Sequence, residues 1–241
     1  MVQLKDFEKL VHESAEALSK VIAQEQAPEK NLLPAAVREK KIQQEIEAHT
    51  KSMQKKMEEG LKACLLSLGQ CQNLPMKKEA VVEELKGCFA KIDSPEALAE
   101  LGKAALTNTS WKAHLAISDN CMESLYQSAK ALFDAKSYDD AEKAFFVLCA
   151  LDPTIFAYWV GFGHTSFHQN NYQQAVNGYG MASTLNPEDI WPHIWAGNSF
   201  EKQGERDYAK MALGEALNLE KAKPSPDRDI VSSLESRIQQ L

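Results

Sequence analysis

The stretch Tyr138-Asp139-Asp140-Ala141-Glu142-Lys143-Ala144-Phe145-Phe146-Val147-Leu148-Cys149-Ala150-Leu151-Asp152-Pro153 sets the frame for the rest of the chain. Its skeleton returns 34 residues later as Tyr172, Ala175, Tyr179, Ala182 and Pro187, and once more as Ala209, Leu213 and Ala216. With Met122, Phe156 and Ile190 taken as first positions, the eighth is small every time (Ala129, Gly163, Gly197) and the twentieth is always alanine (Ala141, Ala175, Ala209). The twenty-fourth holds a large apolar group (Phe145, Tyr179, Leu213). The thirty-second reads Pro153, Pro187 and then Lys221, with Pro224 three residues late. Two helices per period explain this pattern. Small residues at eight and twenty let the helices of a hairpin approach closely, and the large residue at twenty-four fills the gap to the next hairpin. Proline lacks an amide hydrogen, so it stops the outgoing helix and suits the first turn of the next. Lys136-Ser137, Asn170-Asn171 and Gly204-Glu205 supply the turn inside each hairpin.

This period resembles the tetratricopeptide repeat and predicts an all-α fold with three such hairpins. Beyond them, Lys223-Pro224-Ser225-Pro226 reads as a linker, followed by a helix with Ile230, Leu234 and Ile238 four apart. Such arrays need a terminal helix with a polar outer face, so this is read as the cap. Shifting the register back one period puts Pro95 where a small helix-interior residue belongs, so no fourth repeat precedes Met122. Residues 1–118 are expected to form a separate N-terminal helical region, and residues 119–241 the repeat domain with its cap. Leu4, Phe7, Val11, Leu18 and Val21 form a narrow apolar stripe. A long amphipathic stretch from Pro34 to about Leu68 carries Ile42, Ile46, Met53, Met57, Leu61, Cys64, Leu65 and Leu68. Further helices are expected at about Met76 to Lys91, after Ser94-Pro95, and at Trp111. The stripes fit an intrachain bundle or hairpin, and equally a coiled coil in a homodimer. Lys56 and Gly60 interrupt a clean heptad, which tilts the reading toward the first.

Composition narrows the function. A net charge of −7 without a concentrated Lys/Arg block disfavours nucleic acid. No apolar run approaches the roughly 20 residues that span a bilayer, and the charged N-terminus lacks a secretory h-region, so a cytoplasmic protein without membrane insertion is expected. The five cysteines, Cys64, Cys71, Cys88, Cys121 and Cys149, contain no CxxC pair; Cys64 and Cys71 are read as two buried thiols on one helix face, and no metal is expected. Cys149 with His164 or His168 is the one nucleophile–base candidate. It lacks an orienting carboxylate or amide and an oxyanion motif, and no HExxH, phosphate loop or GxGxxG is present. The chain is therefore read as a binding protein, not an enzyme, with no catalytic residues and no cofactor.

Several segments carry a more specific likeness. The Tyr138–Pro153 stretch, Tyr158-Trp159-Val160-Gly161-Phe162-Gly163, Tyr172-Gln173-Gln174-Ala175, Tyr179-Gly180-Met181-Ala182 and Asn186-Pro187-Glu188-Asp189 together resemble the class II chaperones of type III secretion systems. The resemblance covers about Asp119 to Leu219 and does not extend to the N-terminal region. It implies a cytoplasmic protein of a Gram-negative bacterium that guards secreted translocator proteins. The client would offer a short, extended, Pro/Leu-containing segment.

In repeats of this kind the first helix of each hairpin lines the concave face at positions two, five, nine and twelve. The peptide-binding residues expected on that basis are Tyr126, Lys130 and Phe133 from the first repeat, and Val160, His164 and Phe167 from the second. Trp191, Ile194 and Asn198 come from the third. Such a trough suits an extended apolar peptide whose backbone needs hydrogen-bond partners to replace water. A carboxylate clamp would need Lys and Asn where Tyr126 and Lys130 stand, and basic groups at Trp191 and Trp195; it is not expected. Trp159, Phe162, Tyr179 and Trp195 are read as inter-helix core. The competing reading is a scaffold or adaptor whose N-terminal helices mediate assembly and fill the trough from within.

Overall fold

The computed structural model describes residues 35–92 and 110–241. The Leu4–Val21 stripe and the helix start at Ser94-Pro95 lie outside the described residues. Within them run ten helices: α1 (Ala35–Leu68), α2 (Lys78–Phe89), α3 (Trp111–Leu115), α4 (Asp119–Asp134), α5 (Tyr138–Leu151), α6 (Phe156–His168), α7 (Tyr172–Leu185), α8 (Ile190–Gln203), α9 (Arg206–Ala222) and α10 (Arg228–Gln240). The fold is all-α, with three hairpins, α4–α5, α6–α7 and α8–α9, followed by the cap α10.

Each hairpin turns at its fifteenth position, where Lys136, Asn170 and Gly204 all adopt positive φ (59°, 61° and 80°). Asparagine and glycine enter this left-handed region at low cost, and lysine does so under the constraint of the turn. Amide donors at several helix starts find side-chain acceptors: Ser118 Oγ takes Cys121 N–H, Asp189 takes Trp191 N–H, and Asp227 takes Asp229 and Ile230 N–H. Pro153 and Pro187 stand three residues ahead of α6 and α8, in the connecting turn and not in the first helical turn. Trp159 Nε1 donates to the Pro153 carbonyl at 2.7 Å, fixing that turn to the helix it precedes.

The small residues do what their spacing requires. The eighth and twentieth positions are buried in all three hairpins. A β-carbon added at Gly163 would lie 2.6 Å from Tyr179 Cδ1, and one at Gly197 2.8 Å from the Leu213 side chain. The ring or leucine at position twenty-four therefore occupies space that only glycine at position eight leaves free.

The N-terminal part is built into the array. α1 is 34 residues long, about 50 Å of helix, and its C-terminal part packs on α5 and α4. Gly60 makes this possible: a β-carbon there would overlap the Lys143 carbonyl and come within 2.6 Å of Val147 Cγ2. Ser128 Oγ donates to the Cys64 carbonyl at 2.8 Å, and Ser67 Oγ donates to the Ser128 carbonyl at 3.2 Å. Lys56 bonds Glu142 at 2.7 Å with its ammonium 4.8 Å from the Phe146 ring centre, and Glu142 also accepts from Gln174 of α7. Cys64, Leu68, Val81, Leu85, Cys88 and Leu115 belong to the same core as Leu125, Phe145, Leu148 and Phe162. The core thus runs uninterrupted across residue 118, where Ser118 only begins α4. Cys64 is buried, its thiol pushed up to about 12 by burial; Cys71 lies past the end of α1, half-buried, and donates to the Ser67 carbonyl. A second, smaller core at the other end joins Ile190, Ile194, Leu213, Ala216 and Leu234 of α8, α9 and α10.

Candidate functional site

The first helices of the three hairpins meet along one face through their rings. Tyr126 of α4 lies 5.4 Å from Tyr158 of α6, Phe133 of α4 lies 6.5 Å from His164 of α6, and His164 meets the Trp195 ring of α8 edge-on at 4.5 Å. These rings share the face expected to be concave. α1 bonds Ser128 and Glu142 and pairs through Glu59 with Lys143 at 3.2 Å; Ser128 faces away from the side of α4 that carries Tyr126 and Phe133.

On α4, Tyr126 and Phe133 are half-buried and Lys130 between them is exposed, its ammonium 5.9 Å from the Tyr126 ring centre. The spacing 126, 130, 133 keeps all three on one helix face. Burial, helped by the nearby Glu123 carboxylate, raises the Tyr126 phenol above its ordinary range. On α6, Val160, His164 and Phe167 are half-buried in the same register, with Phe167 5.4 Å from Tyr172. Beside them His168 stacks on Tyr138 at 4.6 Å and meets Phe133 at 5.6 Å.

His164 sits at the centre. Its Nδ1 lies 2.9 Å from the Tyr179 hydroxyl. Burial lowers its pKa to about 4, with the neighbouring His168 pushing the same way. The ring is therefore neutral near pH 7, with one nitrogen able to donate and the other to accept. Tyr179, its own phenol raised by burial, keeps its proton and can take either part with Nδ1. Nε2 is left with the complementary part.

The third repeat differs. Trp191 is 48% exposed and stacks on Trp195 at 6.1 Å. Ile194 is buried in the core shared with α9 and α10. Asn198 Oδ1 accepts from Arg237 of α10 at 2.6 Å, and the same guanidinium pairs with Glu201 at 2.6 Å. The cap thus covers positions five, nine and twelve of α8, and among the described residues the ring-lined trough extends from α4 across α6 to the Trp191–Trp195 pair.

Phe162 and Tyr179 are buried core, whereas Trp159 and Trp195 are half-buried. Trp195 is the residue that position-by-position reading assigned to the core and that the structure brings beside His164. Its signal lay in the sixth position, which in the third repeat is where a clamp residue was looked for. Cys149 is buried on α5, its thiol held well above the ordinary range by burial, and among the described residues it shares no hydrogen bond with His164 or His168. Among the described residues no three His, Cys, Asp or Glu side chains converge as metal ligands, and no helix is long and apolar enough to cross a membrane. What the arrangement offers is a neutral aromatic floor, one exposed cation and a ring nitrogen available for a backbone group.

Comparison with known proteins places the architecture. The tetratricopeptide repeat family model matches residues 122–154. No curated protein sequence matches the chain. Among solved structures, a type III secretion complex from Aeromonas hydrophila aligns with a TM-score of 0.52 at 18% identity, over 59% of this chain and 94% of that one. The Yersinia enterocolitica translocator chaperone SycD aligns with a TM-score of 0.48 at 23% identity, over 55% and 98%. SycD of the same organism in complex with a peptide of the translocator YopD gives 0.44 at 25%, over 52% and 91%. The likeness concerns the fold, and about half of this chain.

Proposed function

We propose that this chain is a type III secretion chaperone that holds an extended, hydrophobic segment of a translocator protein on its concave face. The observation that carries the reading is the open ring-lined trough itself. Tyr126, Phe133, Val160, Phe167 and Trp191 keep apolar surface partly in water. Covering one such side chain with a client group is worth about 1.5–3 kcal/mol. Several shallow anchors are needed, because an extended client loses chain entropy on binding. His164 Nε2 replaces a water on the client backbone, which would otherwise be desolvated without compensation. The resemblance of Tyr138–Pro153 and the following repeat segments to translocator chaperones supports a translocator as the client, and supports action in the cytoplasm of a Gram-negative bacterium before export. Binding of this sort requires no chemistry from Cys149.

The test is co-purification of secreted proteins with the full chain from a type III-competent host, identified by mass spectrometry. Translocators are the expected companions. Val160→Glu combined with Trp191→Ala, both at the solvent side of the trough, should abolish their recovery while circular dichroism stays that of the parent. Undiminished recovery with the double variant, or companions unrelated to secretion, would overturn the proposal.

A further inference from the structure

The ninth positions of the three hairpins form a row along the trough: Lys130, His164 and Asn198. Their electrostatic surroundings are unequal. Asn198 is taken by Arg237, and that guanidinium is neutralised by Glu201. His164 is neutral and walled by Trp195, Phe133 and the Tyr179 ring. A charged client side chain arriving there would leave water for aromatic surface with no counter-ion, a costly transfer. Lys130 is exposed, and among the described residues no carboxylate stands within ion-pair distance of it. Other exposed lysines of the array, Lys136, Lys202 and Lys210, also lack a carboxylate partner among the described residues; Lys130 differs from them in standing beside the rings of the trough. Two acidic groups share this face of α4: Glu123, which accepts from Gln127 one turn further on, and Asp134, one turn beyond Lys130 and outside ion-pair distance of it.

We propose that the client segment is uncharged where it crosses α6 and α8 and carries an acidic side chain where it crosses α4, against Lys130. This rests on the reading of the trough as a peptide groove. Packed helices lie about 8–10 Å apart, and an extended chain advances about 3.3 Å per residue. The acidic residue therefore stands about three positions from the residue whose backbone meets His164. Lys130 sets the register of the client: its ammonium lies by the Tyr126 ring with no carboxylate among the described residues in reach, so a client anion gains an ion pair there, while the next two places on the row offer none.

The experiment is a selection of displayed random decapeptides on the full-length protein, repeated on Lys130→Glu. Lys130 is exposed, so this substitution does not burden folding. The parent should enrich peptides with a block of uncharged residues and an Asp or Glu at a fixed distance from it. Lys130→Glu should enrich the same block with Lys or Arg in place of the acid. In fluorescence anisotropy, the acidic peptide should lose about tenfold in affinity for Lys130→Glu, and its Lys-substituted version should regain it. Peptides that still depend on Val160 and Trp191 but show no charge preference, or no inversion, overturn this inference and leave the groove standing. If no enriched peptide depends on Val160 and Trp191, the groove reading fails and takes this one with it.

Discussion

At one end of the array the first hairpin is covered by α1, and at the other the third hairpin is covered by α10, and the two covers are built from different materials. α1 is seated by backbone proximity. Gly60 lets it reach the Lys143 carbonyl, reciprocal serine–carbonyl bonds tie it to α4, and Lys56 inserts beside Phe146 and Glu142. α10 is seated by side chains: Leu234 enters a small core and Arg237 fastens the rim. The first kind of contact tolerates no added atom; the second degrades by degrees. The closure of an array is therefore most vulnerable where glycine, not leucine, makes the contact.

Gly60→Val is the sharpest way to break the comparison. Its side chain cannot share space with Lys143 and Val147, so α1 must lift from a core that includes Cys64 and Leu68. A loss of about 4 kcal/mol or more is expected in urea unfolding, beyond the usual cost of overpacking because backbone stands in the way. A loss below about 1 kcal/mol would mean that α1 is not seated at Gly60. At the other end, Leu234→Ala should cost about 2–3 kcal/mol, and hydrogen exchange should show α10 released while α4 and α5 stay protected.

The middle of the array responds to pH instead. His164 is held neutral, with a folded pKa of about 4 against the ordinary 6.5. Between those values the unfolded chain binds more protons, so stability falls as pH drops from 6.5 to 4. The His164 contribution over that window is about 2 kcal/mol once partial exposure is allowed for. Unfolding of the parent and of His164→Gln, followed from pH 7 to pH 4, should show the steeper loss in the parent; parallel curves would place the ring in solvent. The smallest effect belongs to Arg237→Ala, about 1 kcal/mol, because its pair with Glu201 is partly exposed. Trp191 and Trp195 should keep their environment in that variant.

The hairpins were legible because a close helix crossing leaves a mark in the sequence: alanine or glycine at eight and twenty has no other reason to recur every 34 residues. The docking of α1 was not. Lys56 and Gly60 read as interruptions of a heptad, yet they are the residues that meet α5. A contact between segments more than eighty residues apart has no period to betray it. For the first two repeats, that Tyr126, Phe133 and His164 share one face was readable from position alone, since the neighbours of α4 and α6 are themselves repeats. The third was not, because what lies against Ile194 and Asn198 is a cap outside the period. Trp195 was hidden by the opposite bias: a large aromatic at helical spacing usually belongs to a core, and only its place beside His164 reveals the open side.

The Trp191–Trp195 pair has one more consequence. Of the four tryptophans in the chain, these two lie on the ring-lined face, one of them 48% exposed and the other against the His164 imidazole. The molecule therefore carries its own optical gauge. A peptide laid over Trp191 removes it from water and moves its emission to the blue, and a proton on His164 dims Trp195. Occupancy and acidity at the trough can both be read from the unlabelled protein.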